Sequence, residues 1–129
     1  MRIGELAAAA GTTTKTLRFY ESAGLIPPPA RMSSGYRDYP EDMVSRLGFI
    51  RRGQSAGLTL SQIAEILHLR DGGEPPCQHV ESLLAGRLRE LDQQIADLLE
   101  LRDTVAGLHE ASRSANPALC QADQVCRYI

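Results

Sequence analysis

The strongest constraint on this chain is a stretch from about residue 77 to 113 that holds no proline and only two glycines. Leu84, Leu88, Leu91, Ile95, Leu98, Arg102 and Val105 recur along it by fours and threes, a heptad stripe interrupted at Arg102. A helix of more than thirty residues with one apolar seam cannot bury that seam alone. The spacing therefore predicts a homodimer through a coiled coil. Folding back on the rest of the chain would not supply enough partner surface.

The segment before it reads as short helices separated by turn chemistry. Ile3, Leu6 and Ala7 share a helical face, Gly11 fits a left-handed end, and Thr12, Thr13 and Thr14 offer an N-cap to a second helix carrying Leu17 and Tyr20. Two short helices around a glycine-containing turn form the helix-turn-helix pattern. Leu25 and Ile26 close this unit past Gly24, and Pro27, Pro28 and Pro29 bar any helix there and stiffen the exit. Residues 30–39 then suit a small β-hairpin wing, with Ser33, Ser34 and Gly35 as the turn and Tyr36 and Tyr39 in strands. A third helix starts at Pro40–Asp42 and runs to about Gln54. A fourth, capped by Thr59, runs from Leu60 to about Leu69. Residues 1–70 form a winged helix-turn-helix domain on this reading, 71–76 a linker, 77–113 the dimerisation helix, and 114–129 a loop and tail. The expected fold class is mainly α.

The 129 residues carry a net charge of −2, which would normally argue against a nucleic-acid partner. The average conceals a division. Residues 1–70 hold nine cations against six acids, net +3, and residues 71–129 hold five against ten, net −5. A basic module is the electrostatic footprint of a phosphate backbone. No apolar run is long enough for a membrane span and no signal-peptide pattern is visible, so a cytoplasmic protein without a membrane partner is expected. The three cysteines, Cys77, Cys120 and Cys126, all fall in the acidic part. An odd count argues against a disulfide framework. It leaves a soft-metal site or a redox sensor.

Six segments in order carry a resemblance that covers nearly the whole chain: Arg2-Ile-Gly-Glu-Leu-Ala7, Thr16-Leu-Arg-Phe-Tyr-Glu21, Gly24-Leu-Ile-Pro27, Gly35-Tyr-Arg-Asp-Tyr39, Leu47-Gly-Phe-Ile-Arg51 and Gly57-Leu-Thr-Leu-Ser-Gln-Ile63. The chain resembles the MerR family of bacterial metal-responsive transcription regulators, which are not enzymes. The resemblance implies a dimer joined by an antiparallel coiled coil that reads palindromic double-stranded promoter DNA and acts on RNA polymerase there. Recognition helices place N-terminal residues in the major groove, which points to Thr13, Thr14, Lys15 and Arg18. Tyr20 and Tyr36 can donate hydroxyls to phosphate, and Arg31 and Arg37 on the wing are placed for backbone or minor-groove contact. Tyr20 and Tyr39 could equally be core, Phe19 reads as core, and Arg51 and Arg52 fit either phosphate contacts or a solvated face.

A cysteine at the head of the dimerisation helix, here Cys77, marks divalent-ion sensors in this family, whereas serine marks monovalent ones. Three thiolates suit Cd²⁺, Zn²⁺, Hg²⁺ or Pb²⁺. The ligand set implied is Cys77, Cys120 and Cys126, with His79 and His109 as candidate additions, in a site straddling the dimer interface. The family's loop-opening cysteine is absent near Ala111–Ser112, and Cys126 follows Cys120 instead. A Cu⁺ sensor using Cys120 and Cys126 stays open, as does a thiol-based redox regulator. Four clustered cysteines for an iron–sulfur centre are lacking, and the length leaves no room for a large effector domain.

Overall fold

The computed structural model describes residues 1–31, 35–116, 118 and 125–129. The described residues form α1 (Ile3–Ala10), α2 (Thr14–Ser22), β1 (Ala30–Arg31), β2 (Arg37–Asp38), α3 (Asp42–Ser55), α4 (Leu60–Asp71) and α5 (Cys77–Arg113). The fold is mainly α, as the periodicity predicts.

Local chemistry accounts for the boundaries. α1 ends at Gly11 in the left-handed region, φ 68°, where its N–H reaches back to Ala8. Thr13 then caps α2, its hydroxyl accepting from the Thr16 N–H at 3.2 Å. Thr59 and Gln62 form a reciprocal capping box at the start of α4. The wing is smaller than expected: two residues pair antiparallel with two, Ala30 with Asp38 and Arg31 with Arg37. Tyr39 lies beyond the strand because it is core, only 1% exposed, and its N–H donates to the Met1 carbonyl at 2.7 Å. Of the expected hairpin turn, Ser33 and Ser34 lie outside the described residues.

Two compact units divide the chain, residues 1–87 and 88–129. The first packs Leu6, Leu17, Leu25, Ile26, Ile50 and Ile63 at its centre, all essentially solvent-free. Val80 and Leu83 of α5 pack against that core. α3 and α4 approach closely at Gly53, where an added Cβ would lie 2.9 Å from the Ile63 side chain. The second unit is the rest of α5 with the described tail. No residue of α5 is buried, and Leu88, Ile95, Leu98 and Val105 are each more than half exposed.

The buried face of α3 carries one cation. Met43, Arg46, Leu47 and Ile50 recur at helical spacing and all are buried. The Arg46 Nε donates to the Leu25 carbonyl at 2.8 Å, and its two terminal nitrogens bind both oxygens of Asp71 at 2.8 and 3.0 Å. Such a bidentate, charge-assisted fork is the strong form of the arginine–carboxylate bond. Asp71, expected in the linker, is instead the last residue of α4, two residues past the expected end, where its carboxylate meets Arg46.

The Arg46 hydrogen bond holds the Asp71 carboxyl below its ordinary 3.8, against a smaller upward push from burial. A carboxyl depressed in the folded state stabilises fully above its unfolded value and loses that contribution as pH falls toward the folded one. Asp71→Asn should therefore lower stability at pH 7 by at most about 1 kcal/mol, because the carboxylate is half exposed and screened. By pH 3 the difference should be shrinking toward zero, as read by urea unfolding at both values. Arg46→Ala, which also leaves the Leu25 carbonyl unpaired, should cost about 2 kcal/mol at pH 7.

Candidate nucleic-acid interface and thiol site

The N-terminal turn of α2 carries Thr14, Lys15 and Arg18, with Lys15 and Arg18 exposed. Thr13 is occupied as the cap, its hydroxyl 2.9 Å from that of Thr16. Arg18 faces a concavity of about 680 Å³ that also takes in Arg2, Glu5, Tyr36 and Arg37. Three of the residues expected at the interface thus share one surface, on which cations outnumber acids. Arg2 was not expected there. Its guanidinium stacks 4.2 Å from the Tyr36 ring centroid, a cation–π contact. The signal for it was a cation immediately before the first helix, which is too common to single out.

The wing is tied to α2 through Glu21. Its Oε2 accepts from Arg37 at 2.9 Å and from the Tyr39 hydroxyl at 3.2 Å. Burial pushes the Tyr39 phenol up, and the Arg37 hydrogen bond opposes that push. Arg37 therefore reaches the surface with one nitrogen already engaged. Arg31 lies in β1, opposite Arg37. Tyr20 is part of the module, donating its hydroxyl to Gln54 Oε1 at 3.1 Å.

Phe19, expected in the core, is 54% exposed. It stands two residues after buried Leu17 and so on the far side of α2, whereas Tyr20, at i+3, turns inward. Arg51 has a further role. It donates to the Ala10 and Gly11 carbonyls at 2.7 and 2.9 Å and so closes the end of α1.

Cys77 is the first residue of α5 and an exposed free thiol, and Cys126 is likewise exposed and free. Cys120 lies outside the described residues. His79 places Nε2 3.2 Å from Glu65 Oε2, beside a concavity of about 410 Å³ that also takes in His68 and Glu74. That nitrogen is shielded from solvent and lacks hydrogen-bond geometry. In the second unit, His109 and Cys126 line a second concavity of about 410 Å³ with Val105, Leu108, Tyr128 and Ile129. Among the described residues of one chain, no three histidine, cysteine or carboxylate groups converge as metal ligands do.

Comparison with known proteins gives the class. Residues 1–69 match the MerR HTH family regulatory protein model, and residues 44–108 match the family described as MerR, DNA binding. The chain belongs to the MerR family of transcriptional regulators, DNA-binding proteins rather than enzymes. It is 38% identical over 120 residues to a probable heavy metal-dependent transcriptional regulator of Haemophilus influenzae, spanning 93% of this chain and 94% of the relative. It is 38% identical over 109 residues to the mercuric resistance operon regulatory protein of Bacillus cereus, spanning 84% and 83%. The crystal structure of the transcription regulator PbrR691 from Ralstonia metallidurans CH34 in complex with lead(II) superposes with a TM-score of 0.78 at 36% identity, over 93% and 94% of the two chains. The chain is thus related to heavy-metal sensors. No helix is long and apolar enough to cross a membrane among the described residues.

Glu21→Ala would remove the shared acceptor and leave the Tyr39 hydroxyl without its carboxylate. A loss of about 1–2 kcal/mol in folding stability is expected in denaturant unfolding, with Tyr39→Phe costing less.

Proposed function

We propose that this protein is a cytoplasmic metal-responsive regulator that binds a palindromic operator as a homodimer and activates transcription when a soft ion joins its thiolates. The observation that carries the reading is Cys77, an exposed free thiol at the head of α5, on the segment that packs Val80 and Leu83 onto the DNA-reading module. The exposed apolar stripe of α5 supports the dimer, since a second copy is the natural cover for a seam of this length.

Thr13 at the cap of α2 and Thr14, Lys15 and Arg18 on it, with Tyr20, Arg31, Tyr36 and Arg37, form the DNA surface in this proposal. Cys77, Cys120 and Cys126 hold the ion, with His79 and His109 as candidate additional ligands. The donor chemistry fits, because three thiolates suit a soft divalent ion. Two relatives' names cite mercury and lead(II), which supports a soft divalent ion, Cd²⁺, Zn²⁺, Hg²⁺ or Pb²⁺, with Cu⁺ as the alternative.

A bound ion would supply a covalent tie among thiolates that are otherwise independent. The chain's part is to convert that tie into geometry. Ordering Cys77 and the 72–76 linker biases one arrangement of the two reading modules over the other. The promoter spacer between the two polymerase elements is overlong in this reading, and bending and untwisting it realigns them. Bending a site of this size costs a few kcal/mol, within reach of soft-metal binding.

In vitro transcription from the overlong promoter tests the proposal. Cys77→Ser and Cys120→Ser should each abolish metal-dependent activation while leaving operator binding intact. Full activation by both variants would contradict it. Arg18→Ala should weaken operator binding about tenfold and lower the salt dependence by about one phosphate's worth, read by fluorescence anisotropy across ionic strength.

A further inference from the structure

The surface that carries Arg18 and Arg37 includes one more cation, outside both the recognition helix and the wing. Arg2 stands immediately before α1 and is exposed. Its guanidinium carbon lies 4.2 Å from the centroid of the Tyr36 ring, and that tyrosine is itself more than half exposed. Arg2, Arg18, Tyr36 and Arg37 line one concavity of about 680 Å³, with Glu5 as the acid among its described lining residues.

The cations differ in what they have left to give. Arg37 already spends a nitrogen on Glu21 at 2.9 Å. Arg2 is held in another way. A cation over a ring face is attracted by the ring quadrupole and gives up no N–H donor. Its planar fork of five donors therefore remains available to an oxyanion, which it can meet bidentately. Bracing on the ring also restricts a long side chain in advance, so less freedom is lost when the fork closes on a ligand. The hydrogen bond between Arg2 and Glu5 comes from the Arg2 backbone N–H, to Oε1 at 3.4 Å.

Position selects the acceptor. In a helix-turn-helix the second helix enters the major groove and the first crosses the phosphate backbone. Here α1 is the first helix and α2 the second. A cation at the head of α1 is thus placed for phosphate and not for base edges. Tyr36 adds a phenolic hydroxyl from the wing as a further donor.

We propose that Arg2 is a DNA contact, its guanidinium braced on the Tyr36 ring and closed on one backbone phosphate of the bound duplex. The proposal rests on the DNA surface proposed above and extends it to the head of α1. The pair acts as a unit, since the ring orients the guanidinium and the guanidinium steadies the ring. A phosphate contact carries no sequence information, so its loss is felt on every duplex alike.

The test uses the full-length protein and two labelled duplexes of equal length and base composition. One is selected by the wild type from a random-sequence pool and the other is its scrambled counterpart. Affinity is read by fluorescence anisotropy from about 50 to 200 mM salt. Arg2→Gln, which keeps part of the stem, should weaken both duplexes about tenfold and reduce the steepness of log K against log salt by about 0.9, one phosphate's worth. Arg2→Lys should restore the slope but only part of the affinity, because an ammonium lacks the planar fork. Arg2→Gln combined with Tyr36→Leu should cost about threefold less than the product of the two single losses, because either change alone breaks the pair. Arg2→Met gives the same comparison if the glutamine variant fails to fold. A merely structural role for Arg2 would weaken binding with the salt slope unchanged, and that result would overturn the proposal. So would a loss confined to the selected duplex, or single losses that simply multiply. A wild type that binds neither duplex overturns the DNA surface and this inference with it, whereas a wild type matched by Arg2→Gln in affinity and slope overturns this inference alone.

Discussion

Arg46 binds three parts of the chain at one point. It lies on the apolar face of α3 at 6% exposure and spends its donors on the Leu25 carbonyl just beyond α2 and on both oxygens of Asp71 at the end of α4. A buried cation is costly unless every donor is matched, so the site tolerates little displacement of any of the three elements. The same device recurs twice more: Arg51 closes the end of α1 and Arg87 reaches the end of α3. In each case an arginine from one helix satisfies carbonyls that a helix or turn leaves unpaired at its end. Short helices with modest cores gain direction from these bonds, and direction is what a DNA-reading surface requires.

α5 serves two different contacts along its length. Its first turns use Val80, Leu83 and Arg87 to hold the reading module, while the stripe from Leu84 onward remains exposed. The division follows from the helical period: residues 83 and 84 point about 100° apart, so one helix offers both faces without a break. In the proposed dimer the same continuity links the pairing seam to the reading surface, and Cys77 stands where the docking face begins. Arg102 within the stripe would then sit in the seam, a polar position of the kind that favours one register over others at some cost in stability.

Much of this was legible from residue pattern alone. The helical periods, the caps at Thr13 and Thr59 and the long final helix all follow from local rules that the fold does not override, whereas α2 ends at Ser22, before Gly24 and well ahead of Pro27 to Pro29. Charge segregation, rather than net charge, pointed to the basic reading surface. Three things were not legible. Arg46 occupies a face position shared with Met43, Leu47 and Ile50, which was a readable signal, but its partners lie 21 and 25 residues away and no local rule finds them. Arg51 fits a phosphate contact or a solvated face equally well by pattern, Arg87 carries no local signal at all, and the carbonyl partners of both appear only once helices pack. Phe19 was placed in the core on hydrophobicity, yet its angular position opposite Leu17 sends it outward. The thiol site is legible as a donor set only, since Cys120 lies outside the described residues.

The account depends on two chains sharing thiolates with a soft ion. Native mass spectrometry of the reduced protein after addition of Cd²⁺, Zn²⁺, Hg²⁺ or Pb²⁺ in turn measures both at once. The account predicts a dimer that retains metal ions and loses them in the Cys77→Ser variant. A monomer, or a metal-free species about two daltons lighter for each disulfide formed, would contradict it.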